Sequence, residues 1–181
     1  MTAIATDDDV VRVRFEFLDL GHPDYERISA LVRETYPRSC ICWIERVHNP
    51  DLYTAYLARQ AAVGEEHLLF HGTCESSARA IARHGFDPAK NKTSAFGLGS
   101  YFAKAASYSF SYMKDDSKGI GFMLLCRVAS AKRCLGARGM PIDTTLYDSA
   151  CNALHAPTIF VTPFPDGAYP EFIICFHKTA K

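Results

Sequence analysis

No charge of either sign predominates in this chain. Lys and Arg number 20, Asp and Glu also 20, and the formal net charge is +0. That excludes the basic field expected of a nucleic-acid or anionic-membrane binder, although a neutral surface can still hold a phosphate-rich ligand through backbone amides. Long apolar runs are missing too: none approaches the roughly 20 residues of a spanning helix, so no membrane association is expected. The opening segment, Met1 to Val10, is acidic where a secretory signal would be basic and then apolar. Seven cysteines are an odd number without regular spacing, which predicts reduced thiols in an intracellular protein rather than a disulfide framework. There is no Gly-rich dinucleotide fingerprint, no phosphate-binding P-loop and no GxSxG elbow. Repeats and an obvious linker are also missing.

What is present fits one ordinary domain. At 181 residues, 48% apolar and 22% charged, the chain is long enough to bury a substantial core and too apolar to be disordered. Residues 1–9 read as a polar tail. Val11, Val13, Phe15 and Phe17 alternate with polar residues, which predicts a half-buried strand. Pro23 can open a helix whose face is Tyr25, Ile28, Leu31, Val32 and Tyr36. Cys40 to Val47 reads as a strand. Asn49-Pro50-Asp51 opens a second helix with Leu52, Tyr56, Leu57 and Val63 inward. His67 to His71 is a strand, and Glu75 to Arg83 a helix that stops at Gly85. Phe86 to Gly99 reads as loop, Ala103 to Met113 as helix, and Asp115 to Gly119 as a turn. Phe122 to Val128 is a strongly apolar strand. Lys132 to Asp148 has little periodicity and reads as connection. Two late strands, Thr158 to Thr162 and Glu171 to His177, flank a Pro163 to Gly167 turn. Helices early and strands late predict an α+β fold with a largely antiparallel sheet.

Several residues invite chemistry. Cys40, Cys42 and His48 suggest a metal, but structural zinc needs four ligands and no second pair is near; a strand with both cysteines on its buried face is the expectation, and no metal is expected. Cys74 lies three residues from His71, and Cys151 four from His155, without a placed orienting group for a thiol nucleophile. The stretch from Leu68 to Tyr112 is the most organised. An apolar run stops at His71-Gly72-Thr73; a helix and a polar loop lead to Gly97-Leu98-Gly99-Ser100-Tyr101; then a small-residue segment carries Ser107, Ser109 and Tyr112. That is the layout of a ligand cleft at a sheet edge, with a few fixed polar groups in an apolar wall.

Those motifs resemble the catalytic domain of the poly(ADP-ribose) polymerase-like ADP-ribosyltransferases. His71-Gly72-Thr73, Gly97 to Ala103 and Ala106-Ser107-Tyr108-Ser109 stand in the family's order. Trp43 to Val47 and Leu52 to Tyr56 resemble the segment before them, and Tyr147-Asp148-Ser149, Pro157 to Val161 and Ala168 to Phe172 resemble the C-terminal end. The similarity runs from about Cys42 to Phe176. It implies the split, mostly antiparallel sheet of that family, a single catalytic domain over residues 10–181 without a separate helical regulatory domain, and NAD+ as co-substrate. It also assigns roles. His71 would bond the adenosine-ribose hydroxyl, with Thr73 beside it. Tyr101 and Tyr112 would stack on nicotinamide, while the Gly72 backbone and Ser109 hydroxyl hold its carboxamide. The loop from Asp87 to Phe96 would line the adenosine side.

Polymerising members hold a glutamate at the third position of the His-Tyr-Glu triad. Counting back from Ala168-Tyr169-Pro170-Glu171 places that position on Ile159, which cannot grip a ribose hydroxyl. The resemblance therefore implies a mono-ADP-ribosyltransferase, working as a monomer, that moves one ADP-ribose to an acceptor, expected to be a protein. Glu171 is expected to be structural. Taken singly, each residue has a plainer role: His71 a bonded strand-end histidine, the tyrosines core aromatics, Ser109 a helix residue bonded to nearby backbone. Two other functions stay open. One is a catalytically weak NAD+- or ADP-ribose-binding module; the other is a transferase acting on nucleic-acid ends, which the neutral charge disfavours.

Overall fold

In the computed structural model, residues 13–91, 94–114 and 119–177 are described. The expected polar tail, the first two residues of the first strand and most of the Asp115 to Gly119 turn lie outside them. Alternating apolar residues give β1 (Arg14–Leu18), and β2 (Ile41–His48) runs antiparallel to it. Between them α1 (Pro23–Thr35) starts with its proline in the first turn and His22 capping Asp24 N–H. Next come α2 (Pro50–Val63), β3 (Glu66–Thr73), α3 (Glu75–His84), a 3-10 turn at Pro88–Lys90, β4 (Ser100–Ala103) and α4 (Ala106–Phe110). The strands β5 (Ile120–Ala129), β6 (Arg133–Leu135), β7 (Ser149–Cys151), β8 (Ile159–Thr162) and β9 (Ala168–His177) complete the chain.

The strands order as β1-β2-β9-β5-β3-β4-β8-β7-β6, and every pairing but β6–β7 is antiparallel. The fold is α+β, as the run of elements implies. The long central strands β5 and β9 are apolar on both faces because both faces are covered. Leu69, Leu124, Cys126 and Ile173 pack with Ala78 and Ala82 of α3 on one side. Phe70, Met123, Leu125 and Ile174 alternate to the other side, against Ile28 and Val32 of α1 and Ala106 of α4.

The joint that matters is β3–β4. It holds a single register pair, Phe70 with Ala103, whereas β3 pairs with β5 along its whole length. The sheet is therefore nearly split into a five-stranded and a four-stranded half, and the split opens toward α3 and α4.

Several sequence expectations need correction. Cys40 and Cys42 are exposed, not buried, because a register shift between Ile41 and Trp43 turns the strand start outward. His48 is bonded to Glu16 rather than poised for a metal (Nε2 to carboxylate, 2.7 Å). Leu57 lies on the outer side of α2, and Tyr56, with Leu52 and Val63, makes the inner contact. The Lys132 to Asp148 connection begins with β6, whose three residues pair in parallel with β7. The predicted helix from Ala103 shrinks to five residues because Ala103 ends β4. β9 begins at Ala168, and a register shift at Leu125/Cys126 admits Pro170 opposite Cys126. As expected of a structural residue, Glu171 pairs with Arg127 at 3.0 Å, which also pairs with Glu66 at 3.0 Å.

The end of α3 is tied to the start of α2 by one side chain. Asn49 accepts from Leu52 N–H to cap α2, and its amide donates to the carbonyls of Ala82 and Arg83 at the end of α3, each at 3.0 Å. One buried amide thus satisfies orphan groups of two helices. Asn49→Ala is expected to cost about 1–3 kcal/mol, read by urea denaturation, since both helix ends would lose their partner.

Candidate active site

The split between β3 and β4 leads into a cleft of about 530 Å³. His71, Gly72 and Thr73 of β3, Tyr101 of β4, Ser109 of α4, Tyr112 beyond it and Ile159 of β8 all line it. The seven residues to which the resemblance gives site roles thus line one cleft, though 88 positions separate the first from the last; Ser107 does not line it. The size falls within the range of small-molecule and cofactor sites.

His71 is held from two directions. Its Nδ1 lies 2.8 Å from the Tyr101 carbonyl, so that nitrogen carries the proton and donates. Nε2 is then left as an acceptor, suited to a hydroxyl. The ring packs edge-on to Phe86 (5.3 Å) and tilted against Phe102 (5.7 Å), which fixes its plane. Burial pushes its pKa below the ordinary histidine value; the Tyr101 carbonyl partly opposes this. Phe86 and Phe102 were missed in the sequence, where they look like any core aromatics.

Tyr101 is half-buried. Its hydroxyl donates to the Gly97 carbonyl at 2.7 Å and accepts from Phe96 N–H at 2.8 Å. The ring rests on Ile142, Ala150 and Val161. The tyrosine therefore closes the loop before β4 as well as walling the cleft. In that loop, Asp87, Lys90 and Asn91 line the cleft, and the Asn91 amide donates to the Gly99 carbonyl at 2.6 Å. A side chain at Gly99 would meet the Thr162 carbonyl at 2.5 Å, so β4 can approach β8 only with glycine there.

Gly72 is required by packing. A Cβ on it would lie 1.9 Å from the Ser109 carbonyl oxygen, so α4 sits directly on the β3 backbone. Past Phe70 this edge of β3 faces the cleft instead of a strand. The Ser109 hydroxyl is buried and donates to the Phe70 carbonyl at 3.1 Å, which leaves its lone pairs to accept from an amide N–H. Tyr112 follows α4 in a turn, tied by its N–H to the Ser109 carbonyl at 3.0 Å. The i,i+3 relation expected of a helix is kept by 3-10-type bonding.

Ile159 opens β8, opposite Ala103, and is only 6% exposed. The Asn152 side-chain oxygen accepts from the N–H groups of Thr158 and Ile159, both at 3.0 Å. Among the described lining residues the one carboxylate is Asp87, which caps Ala89 N–H and lies 3.6 Å from Lys90. Cys74 also lines the cleft; burial raises its pKa, but the hydroxyls of Ser76 and Ser77, at 3.3 and 3.2 Å, outweigh that and bring it down to about 7. Among the described residues no three His, Cys, Asp or Glu gather as metal ligands, and no helix is long and apolar enough to cross a membrane.

A sheet nearly split at its centre, with a histidine, a tyrosine and an aromatic rim around the split, defines an ADP-ribosyltransferase fold. The poly(ADP-ribose) polymerase catalytic domain family matches residues 22–145, and the chain belongs to that family. Human protein mono-ADP-ribosyltransferase PARP14 is 31% identical over 86% of this chain, which spans 10% of that protein. Mouse protein mono-ADP-ribosyltransferase PARP12 is 29% identical over 91% of the chain, which spans 25% of it. Mouse protein mono-ADP-ribosyltransferase PARP11 is 30% identical over 85%, and the chain spans 57% of it. The chain is thus similar to a portion of each of these relatives.

Two outcomes follow from this geometry. Gly72→Ala is expected to push α4 off β3, lowering stability by about 1–3 kcal/mol on urea denaturation. Folding holds His71 neutral, so below about pH 6.5 the unfolded chain binds more protons than the native one. The His71 contribution to stability is complete above that pH and is lost as pH falls through it toward the depressed native pKa. A pH series of urea midpoints on wild type and His71→Gln should show this slope in wild type only.

Proposed function

We propose that this domain is a mono-ADP-ribosyltransferase, moving one ADP-ribose from NAD+ to an acceptor, expected to be a protein. The relatives carry that activity in their names. The observation that carries the single-unit reading is Ile159: the start of β8 is held to the cleft by Asn152, yet bears an aliphatic side chain.

NAD+ already has its leaving group, a cationic nicotinamide on the anomeric carbon of the ribose. The C–N bond breaks with its electron pair going to the ring nitrogen, which becomes neutral. The oxocarbenium ion that develops is captured by the acceptor, whose attacking atom forms the new bond; a carboxylate oxygen has no proton to lose, and a protonated nucleophile would give its proton to solvent or to a base on the acceptor. The protein's part is positioning. The open edge of β3 at Gly72 and the buried Ser109 hydroxyl suit a carboxamide. Tyr101 and Tyr112 offer aromatic faces for the ring, His71 Nε2 accepts from a ribose hydroxyl, and Asp87, Lys90 and Asn91 flank the adenosine end. Thr73 adds a polar group beside His71.

A carboxylate at position 159 would deprotonate an incoming ribose hydroxyl, as chain elongation requires. Isoleucine cannot, and Asp87, the one carboxylate among the described lining residues, is paired with Lys90. An acceptor carboxylate that brings its own charge to the cation needs no such help, so one transfer is feasible and the next, onto a ribose, is not. Transfer to nucleic-acid ends is disfavoured by the net charge of +0.

Incubation with NAD+ and resolution of the products by intact mass should show additions of single ADP-ribose units on protein acceptors. A ladder of polymer would refute the reading. His71→Ala should lower turnover ~10–100-fold through the lost hydroxyl contact. NAD+ binding with no turnover above the His71→Ala background would instead mark a binding module, and transfer to oligonucleotides over protein would mark a nucleic-acid enzyme.

A further inference from the structure

Tyr112 has an exposed position for a residue asked to form a rigid stacking face. α4 ends at Phe110, so Tyr112 lies beyond the helix, and its side chain is 47% exposed. Backbone bonding ties its N–H to Ser109 but leaves the side-chain torsions open. A ring free to turn would impose the cost of ordering it on every ligand that stacks there.

Its neighbour supplies the restraint. Tyr108 stands four residues earlier, on α4 itself, and lines the same cleft. The two hydroxyls are 3.0 Å apart, and the rings meet at a centroid distance of 5.3 Å with a tilt of 43°. Tyr108 has the fixed helical backbone that Tyr112 lacks. We propose that Tyr108 is a positioning residue for NAD+: the hydrogen bond between the two phenols pre-orients the Tyr112 ring as the outer face of the nicotinamide pocket. The Tyr108 hydroxyl thereby strengthens binding through Tyr112. Burial, and then the Tyr112 hydroxyl, push the Tyr108 pKa up to about 12, so its phenol stays neutral across the physiological range. The inference rests on the reading that nicotinamide stacks on Tyr112.

Affinity for the nicotinamide mimic benzamide and the NAD+ kinetic constants of wild type, Tyr108→Phe, Tyr112→Phe, the double variant and Tyr112→Ala form the test. Tyr108→Phe keeps the ring and removes the hydroxyl. It should raise the benzamide Kd and the KM for NAD+ by ~2–10-fold, the worth of one exposed hydrogen bond, with kcat little changed. Tyr112→Phe should do the same, and the double variant should be no worse than either single, because all three lose one shared bond. Unchanged affinity in Tyr108→Phe, or single effects that multiply in the double variant, would overturn the inference. Tyr112→Ala separates the two levels. Loss of benzamide binding there, with Tyr108→Phe unaffected, sinks the positioning role alone; full binding in Tyr112→Ala sinks the stacking reading beneath it.

Discussion

The hydrogen bond from His71 Nδ1–H to the Tyr101 carbonyl, at 2.8 Å, is the interaction the rest of the site depends on. β3 and β4 share one register pair and then diverge. A strand edge left open in a sheet interior has unmet backbone groups, which is costly unless something else meets them. Here a side chain crosses the gap and takes the place of a ladder bond. The consequence is a sheet that holds together as nine strands while keeping an opening in its middle. It also fixes the chemistry: once Nδ1 donates to the backbone, Nε2 can only accept, and burial beside Phe86 and Phe102 keeps the ring neutral.

The second wall follows from the first. With no strand beside β3 past Phe70, α4 can settle on its backbone, provided the helix is short, small-sided and meets a glycine. Ala106 and Ser109 are buried in it, and Gly72 beneath has no room for a Cβ. The Ser109 hydroxyl then satisfies the Phe70 carbonyl. On the other side, α3 is held at its C-terminal end by Asn49, and the loop leaving it brings Phe86 onto His71. Tyr101 closes the circuit, because its hydroxyl bonds hold the loop that precedes its own strand.

How far the sequence could be read depended on whether a feature was local. Alternation in β1, the proline starts of α1 and α2, and the apolar run of β5 are short-range signals, and each produced its element. The parallel pair β6–β7 is formed by two three-residue strands that meet across a long connection, and neither has enough residues to show a period. The exposure of Cys40 and Cys42 follows from a register shift that depends on β9, not on β2. Ala103 lies in β4 instead of α4 because β8 pairs with it. The cleft residues were legible as a motif set, since their order along the chain survives folding. Their supports were not: the tie from Asn49 to α3 spans more than 30 residues, and the Tyr101 hydroxyl bonds leave no trace in composition.

Position 159 separates scaffold from chemistry. Lys104 N–H donates to the Thr158 carbonyl at 2.9 Å, the Asn152 side-chain oxygen accepts from the Thr158 and Ile159 N–H groups, and Ile159 is 6% exposed. These bonds fix the backbone at the start of β8, so whatever side chain stands at 159 is held at a set place in the cleft wall. A carboxylate there would have to be desolvated and would need a hydrogen-bonding partner to remain charged. Isoleucine removes that demand and lets the wall stay apolar. On the proposed function, that moves the burden of stabilising positive charge from the protein to the acceptor. Under the proposed single-transfer function, such a domain would select acceptors by the charge they carry into the cleft as well as by how they fit its rim.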